Sequence, residues 1–278
     1  MILNFTLKPW IGQMPSPKIE IIINDSNDVI NEIIDIGDFK IGYFNLKNKV
    51  SNNDNEDVLF ITGNENELLL GVSDGAGGHP KGQEAANIVC KELVKLFKDS
   101  SNTFINSLEV VEAANDKVVE LKVGAKCTLA YVTIEKDYFR CHSIGDSEIV
   151  YWNSVGGEIF SNVPHSSVGY QIKSGALAQD ESLDDPERHY VMNLIGDETV
   201  RVDSSTKIQL KKGHTILIGT DGLFDNISHD ALREIVSKGI FEKSFEELSG
   251  LCKIQNDNEW KKDDDIAFIM LRKIKTNI

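Results

Sequence analysis

One stretch constrains the chain more than any other. The apolar run Leu68-Leu69-Leu70-Gly71-Val72 stops at Ser73-Asp74, and Gly75-Ala76-Gly77-Gly78-His79-Pro80-Lys81-Gly82 follows, with four glycines in eight positions. Glycine opens backbone conformations closed to other residues and lets a ligand approach closely. Gln83 to Lys98 then carries apolar residues at 85, 88, 89, 93, 96 and 97, the spacing of a helix with one buried face. A strand ending on a carboxylate, a glycine loop and a helix together predict a place where something is held.

Two phosphate-binding readings of this loop fail. A dinucleotide fingerprint begins at Gly75-x-Gly77 but meets Pro80 where the third glycine belongs, and Asp74 would set negative charge against a pyrophosphate. A Walker loop needs Gly-Lys-Ser/Thr, which does not follow. A calcium loop at Asn53-Asp54-Asn55-Glu56-Asp57 fails too, because Val58 stands where glycine is required and Asn64 where the distal glutamate is required. That segment reads as a solvated loop.

The Asp74 pattern returns elsewhere. Ile218-Gly219-Thr220-Asp221-Gly222-Leu223-Phe224-Asp225 again ends a strand on Asp-Gly, Gly145-Asp146-Ser147 is a tight turn between strands, and Lys262-Asp263-Asp264-Asp265 precedes an apolar strand. Each alone is an ordinary turn. Carboxylates brought together from all of them would repel and raise one another's pKa unless a cation lay between them. Their oxygens suit Mg²⁺ or Mn²⁺ rather than zinc, and no His or Cys cluster competes. A site of that kind points to metal-assisted hydrolysis, in which paired ions polarise a phosphoryl oxygen and lower the pKa of water.

Composition narrows the remaining classes. The chain has 278 residues, 41% of them hydrophobic and 26% charged, as expected of a soluble globular protein. Lys plus Arg is 29 against 44 Asp plus Glu, so the net charge of −15 disfavours nucleic acid as a partner. The excess of carboxylates fits either plain solubility or a demand for divalent cations. No apolar run approaches the roughly 18 residues of a membrane span, and Met1-Ile2-Leu3-Asn4-Phe5 lacks the marks of a secretory signal. No membrane association and a cytoplasmic location are therefore expected. Cys90, Cys127, Cys141 and Cys252 are scattered without a Cys-x-x-Cys pair and are expected to be buried, reduced thiols.

Periodicity gives the order of elements. Strands are expected at Phe39 to Leu46, Asp57 to Thr62, Glu67 to Ser73, Ala125 to Glu135, Tyr138 to Ile144, Ile149 to Asn153, Lys207 to Leu210, Thr215 to Gly219 and Ile266 to Lys273. Helices are expected at Gln83 to Lys98, at Phe104 to Lys122 with Asn102 or Thr103 as cap, and at about 228–238 and 243–253. This pattern predicts an α+β fold with mainly antiparallel sheets. Residues 1–37 read as an N-terminal strand-like extension of unassigned role, with a strand at Lys18 to Ile23. Residues 38–278 read as one domain, with a surface flap at 161–203.

Taken in order, these motifs resemble the PP2C (PPM) family of metal-dependent protein serine/threonine phosphatases in its bacterial form. Asn55-Glu56-Asp57, Asp74 to Gly82, Gly145-Asp146-Ser147, Thr220 to Asp225 and Asp264-Asp265-Ile266 carry the likeness, over roughly residues 38–273. The resemblance implies a sandwich of two antiparallel β-sheets flanked by α-helices on both sides, with a two-metal Mn²⁺ or Mg²⁺ centre at one end. It implies that Asp74 bridges both ions and that the Gly75 carbonyl ligates one. Asp221 and Asp264 would hold the other, Glu56 and Asp57 would act directly or through water, and Asp146 with Asp225 matches a third, weaker ion. The implied chemistry is attack of metal-bound hydroxide on phosphoserine or phosphothreonine without a covalent enzyme intermediate, the key residues being Asp74, Asp221 and, as proton donor, His79. Phosphorylated proteins as substrates, a cognate Ser/Thr kinase and a monomeric state belong to the same expectation.

This chain also departs from the family pattern. The usual phosphate-gripping arginine, four residues before Glu56, is Asn52, so Asn52 and the nearby Lys49 or Lys47 are the candidate phosphate contacts. Glu148 replaces the arginine that usually follows Gly-Asp-Ser, and Asp265 stands where asparagine is common. A catalytically weak binding or regulatory module and a phosphatase for small phosphoesters are the alternatives.

Overall fold

The computed structural model describes residues 19–24, 28–50, 54–99, 107–179, 181–188, 190–255 and 262–275. In chain order the strands are β1 (Ile19–Ile23), β2 (Ile30–Ile36), β3 (Phe39–Leu46), β4 (Asp57–Gly63), β5 (Glu67–Asp74), β6 (Leu129–Glu135), β7 (Tyr138–Ile144), β8 (Glu148–Trp152), β9 (Glu158–Ser161), β10 (Asp203–Ser204), β11 (Ile208–Gln209), β12 (Thr215–Gly219) and β13 (Ile266–Lys273). Helices α1 (Gly82–Asp99) and α2 (Ser107–Val119) follow β5, and α3 (Ser167–Ser174) follows β9. Helices α4 (Asp221–Phe224), α5 (His229–Val236) and α6 (Phe241–Gln255) lie between β12 and β13. One sheet runs β1-β4-β5-β6-β7, with β10 and β11 both on β7, and the other runs β2-β3-β13-β12-β8-β9.

Strand periodicity builds three apolar layers. In β5, Leu68, Leu70 and Val72 point between the sheets while Leu69 points outward toward the helices, the alternation a pleated strand imposes. Ile41, Leu59, Val132, Ile218 and Ile269 fill the space between the sheets. Outside the first sheet, Val89, Leu93 and Phe97 of α1 and Val111 of α2 cover Phe60 and Tyr131. Outside the second, Leu232 of α5 with Phe245 and Leu248 of α6 cover Phe44, Trp152 and Phe268. Fully burying a side chain such as Phe60 or Phe268 stabilises by about 2 kcal/mol. The result is the helix–sheet–sheet–helix sandwich that the sequence leads one to expect.

Several boundaries differ from the sequence reading, each for a local reason. Strand β2, Ile30 to Ile36, is half-exposed and mixes Glu32 and Asp35 with paired isoleucines, so it lacks clean alternation. The second helix stops at Val119, and Lys122 takes a left-handed φ of 55° just beyond it. Its expected caps, Asn102 and Thr103, lie outside the described residues. Strand β6 starts at Leu129 rather than Ala125 because residues 126–128 are engaged elsewhere. The Lys126 carbonyl accepts from Ala76 N at 3.0 Å, and Thr128 N donates to the Asp74 carbonyl at 2.8 Å. Within 161–203 lies α3, whose N-terminus is capped by the Ser166 hydroxyl accepting from Gly169 N.

The topology decides where function can sit. In an antiparallel array, strand ends and strand starts alternate along one edge. The end of β5 therefore lies beside the start of β4, with Asp74 directly opposite Asp57. The end of β12 lies beside the start of β8, pairing Gly219 with Glu148, and the start of β13 lies beside the end of β3, pairing Ile266 with Leu46. All four Asp-bearing turns thus emerge at one end of the sandwich. Among the described residues, no helix is long and apolar enough to cross a membrane.

Close backbone packing at this end depends on glycine. A methyl group on Gly222 would meet the Asp265 carbonyl oxygen at 1.9 Å. Gly222→Ala is expected to destabilise by about 1–3 kcal/mol, as overpacking does, lowering Tm by roughly 2–12 °C. An unchanged thermal unfolding curve would contradict that packing.

Candidate active site

Asp57 is set by a chain of amides. The Asn45 side chain donates to the Asp57 carbonyl at 3.1 Å, Asn55 Nδ2 donates to Asn45 Oδ1 at 2.5 Å, and Asp57 N donates to Asn55 Oδ1 at 2.9 Å. Thr220, immediately before Asp221, donates its hydroxyl to Asp57 Oδ2 at 2.7 Å. Glu56 lies at the start of α1, where a Cβ on Gly82 would come within 2.9 Å of Glu56 Oε1. Burial and then Asp265 push the Glu56 pKa up, against the Gln83 N–H, which favours the charged form.

Asp74 and Asp146 are joined through Thr128. Asp74 N donates to the Thr128 hydroxyl at 3.0 Å, and that hydroxyl is 2.7 Å from Ser147 Oγ. Gly145, at φ 90°, lets the turn lie against Thr128, where a Cβ would come within 2.6 Å of the threonine methyl. Gly75 lies so close to the start of α1 that a Cβ there would meet the Gly82 carbonyl carbon at 2.4 Å. Its N–H donates to the Glu56 carbonyl at 3.1 Å, which ties the first two motifs together.

The other half of the site comes from α4 and the loop before β13. Asp221 lies in the first turn of α4, Asp225 just beyond its end, and Asp264 two residues before β13. Lys262 Nζ reaches all three: it is bonded to Asp221 Oδ2, 3.1 Å from Asp264 Oδ2 and 3.4 Å from Asp225 Oδ2. Asp265 does different work. Its two oxygens accept from Asn48 N and Glu56 N, each at 2.7 Å, so it fixes both loops beside the site. Glu148 pairs with His229 of α5 at 3.0 Å.

Electrostatics follow from this crowding. Burial first, and then neighbouring carboxylates, hold the pKa values of Asp57, Asp74 and Asp146 well above the usual range. Burial and Asp221 push Asp225 up to about 7 and Asp264 to about 6, against the opposing pull of Lys262. Burial opposes the charge on Lys262, but Asp221, Asp264, Asp225 and Asp146 raise its pKa well above the ordinary lysine value.

The donors fit a hard divalent cation. Asp74, Asp146 and Asp221 each offer an oxygen within 4.8 Å of the others. Asp146 Oδ1, Asp221 Oδ1 and Asp225 Oδ2 are buried without a hydrogen-bond partner. Of the residues singled out from the sequence, Glu56, Asp57, Asp74, Gly75, Asp146, Asp221, Asp225 and Asp264 share this end of the fold. His79 lies on the exposed turn before α1, and Lys49 is exposed on the loop after β3. Asn52 lies outside the described residues. Thr128, Thr220, Lys262 and Asn226, whose Oδ1 accepts from Lys262 N at 3.0 Å, were not anticipated as site residues. Only Lys262 carried a signal, a cation at the head of Lys-Asp-Asp-Asp.

Comparisons with known proteins bear on the family and the fold. A family model described as Protein phosphatase 2C matches residues 41–259. Protein phosphatase PhpP of Streptococcus pneumoniae is 27% identical over 185 residues, covering 62% of this chain and 74% of that protein. The structure of serine/threonine phosphatase Stp1 from Staphylococcus aureus matches with a TM-score of 0.71 at 21% identity, over 87% of this chain and 98% of that one. The catalytic domain of the serine/threonine phosphatase PstP, solved in complex with 2 manganese ions, matches with a TM-score of 0.69 at 19% identity, over 85% and 99% of the two chains.

A pH dependence follows from the raised carboxyl pKa values. Folded Asp225 and Asp264 hold protons above the ordinary value near 4, so their contribution is full below about pH 4 and lost as pH rises through about 6 and 7. In EDTA the protein is expected to lose thermal stability between about pH 5 and 8, with a shallower loss in Asp225→Asn. Mn²⁺ should stabilise more at the upper end, where it replaces no proton. A Tm in EDTA that rises across this range, with the same slope in the variant, would contradict the assignment.

Proposed function

Because this chain belongs to the protein phosphatase 2C family, we propose that it is a metal-dependent protein phosphatase hydrolysing phosphoserine and phosphothreonine. The observation that carries this reading is the convergence of Asp74, Asp146 and Asp221, with buried oxygens on Asp146 and Asp221 left unpaired, at the end of the sandwich. Bound there, Mn²⁺ or Mg²⁺ supplies Lewis acidity toward a phosphoryl oxygen and lowers the pKa of a water molecule.

The side chains divide the remaining tasks. Asp74 would be shared by both ions, the Gly75 carbonyl would hold one of them, Asp221 and Asp264 would hold the other, and Glu56 and Asp57 would act directly or through water. Thr220, Thr128 and Asp265 hold these groups in place. The thiols of Cys90, Cys127, Cys141 and Cys252 are buried and pushed up by that burial, which leaves them unsuited to nucleophilic attack. That supports direct hydrolysis by water, with His79 on its exposed turn as the group that protonates the leaving oxygen. A cavity of about 330 Å³ beside Asp146 and Asp225, walled by Asn162, Ser166, Ile172 and Arg188, offers room for a substrate segment.

Phosphorylated proteins as substrates, a Ser/Thr kinase as their source, a cytoplasmic location and a monomeric state complete the reading. Lys49 supplies positive charge toward the phosphate in place of the arginine fork missing at Asn52. Residues 38–278 act as one phosphatase domain, with 161–203 as its flap and β1 and β2 added before it as edge strands.

Mn²⁺-dependent hydrolysis of a phosphothreonine peptide is the test. Asp74→Ala and Asp221→Ala should each reduce turnover to the level seen in EDTA, and the phosphopeptide should be preferred over a small phosphoester. Asn52→Arg is expected to raise kcat/KM about tenfold or more, the worth of a charged hydrogen bond. Mn²⁺ binding without turnover in either the wild type or Asn52→Arg would instead mark the chain as a binding module.

A further inference from the structure

The Oδ1 of Asp146 is buried without a hydrogen-bond partner, and the place of this carboxylate is set by the turn that presents it. Two residues that follow β9 grip that turn on both sides of Asp146. Asn162 Nδ2 donates to the Ser147 carbonyl at 3.1 Å, while Asn162 Oδ1 accepts from Ile149 N at 2.6 Å. His165 N donates to the Gly145 carbonyl at 2.9 Å, and Gly145 N donates to His165 Nδ1 at 3.2 Å. One residue of the 161–203 segment thus holds Gly145 by both of its backbone groups.

The surroundings decide which nitrogen of the ring accepts. Asn193 Oδ1 accepts from Arg201 N at 2.9 Å and Asn193 Nδ2 donates to the Arg201 carbonyl at 2.8 Å, which fixes the orientation of the amide. The same Nδ2 lies 2.7 Å from His165 Nδ1. Both neighbours of Nδ1 are N–H groups, so Nδ1 is the acceptor and the proton sits on Nε2. Nε2 lies 3.1 Å from Asp203 Oδ2, and Asp203 pairs in register with Ser143, two residues before Gly145. The His165 side chain is fully buried. Burial, against the pull of Asp203, holds its pKa below the ordinary value, in keeping with a neutral ring.

We propose that His165 is a positioning residue for the metal centre, fixing through its Nδ1 acceptor the Gly145 turn that aims Asp146 at Asp74 and Asp221. This rests on the reading of the site as a divalent-ion centre and deepens it, but does not rest on catalytic activity. Groups that orient a ligand without touching the metal change metal affinity when they are lost. Here the group acts through backbone, since its partner is the glycine beside the ligand.

Calorimetric titration with Mn²⁺ of the wild type, His165→Phe and His165→Asn is the test, with thermal unfolding in EDTA alongside. Phenylalanine fills the ring's volume without an acceptor, whereas asparagine can place Oδ1 where Nδ1 stood but leaves a void. Packing and hydrogen bonding therefore rank the two variants in opposite orders. His165→Phe is expected to weaken Mn²⁺ binding about ten- to a hundredfold, and His165→Asn to bind much closer to the wild type although it is the less stable in EDTA. Asn193→Asp, nearly isosteric, sets an acceptor against Nδ1 and draws the proton there, so it should weaken Mn²⁺ binding despite its added negative charge. At saturating Mn²⁺ the KM for a phosphothreonine peptide should be unchanged in all three variants. Mn²⁺ affinity unchanged in both His165→Phe and Asn193→Asp, or falling as far in His165→Asn as in His165→Phe, would overturn the proposal. A wild type that binds no Mn²⁺ would overturn the divalent-ion reading and the proposal together, whereas the expected order of affinities without turnover would refute only the phosphatase activity.

Discussion

Mutual repulsion among buried carboxylates is the constraint on which the rest of this molecule depends. Asp57 and Asp74 face one another across neighbouring strands, and Asp146, Asp221, Asp225 and Asp264 close around the same end of the sandwich. Two like charges 4 Å apart cost about 4 kcal/mol at the effective dielectric of a protein's outer layers. Such a cluster survives only if protons, a lysine or metal ions neutralise it. This end of the sandwich has a means for each: raised carboxyl pKa values, the Lys262 ammonium and a donor set suited to Mn²⁺ or Mg²⁺.

Holding such groups in place takes a rigid frame, and the sandwich supplies it. Each ligand turn is rooted in a strand with an apolar layer on either side. Neutral hydrogen bonds then fix the last few ångströms: Asn45 and Asn55 for Asp57, Thr128 for Asp74 and the Asp146 turn, and Thr220 between Asp57 and Asp221. Gly75 and Gly222 let backbones meet where any Cβ would collide. These supports carry no net charge, so they add order without adding repulsion.

Much of this could be read from the residues alone, and the failures are instructive. Asp74 and Asp221 were recognisable because an Asp at a strand end followed by glycine leaves a mark in sequence, and Asp146 and Asp264 because they sit in turns just before apolar strands. The mixed α+β, mainly antiparallel character followed from strands and helices with clear periods, and the layered sandwich from the family resemblance. Strand β2 escaped because Glu32 and Asp35 interrupt its alternation at a half-exposed edge, and the delayed start of β6 escaped because residues 126–128 are bonded to the glycine loop. Thr128, Thr220 and Asn226 act through contacts between residues distant in sequence, which no local pattern encodes. Two departures from the family pattern gain a physical meaning in three dimensions. Asp265 caps two loop N–H groups, and Glu148 finds a partner in His229.

The proposed function stands on this carboxylate end being a divalent-metal centre built around Asp74. Anomalous diffraction from crystals grown with Mn²⁺ tests it most directly. Mn²⁺ peaks are expected within coordination distance of Asp74 and Asp221, with their loss in Asp74→Asn. Anomalous density absent from this end at saturating Mn²⁺, or unchanged in Asp74→Asn, would contradict it.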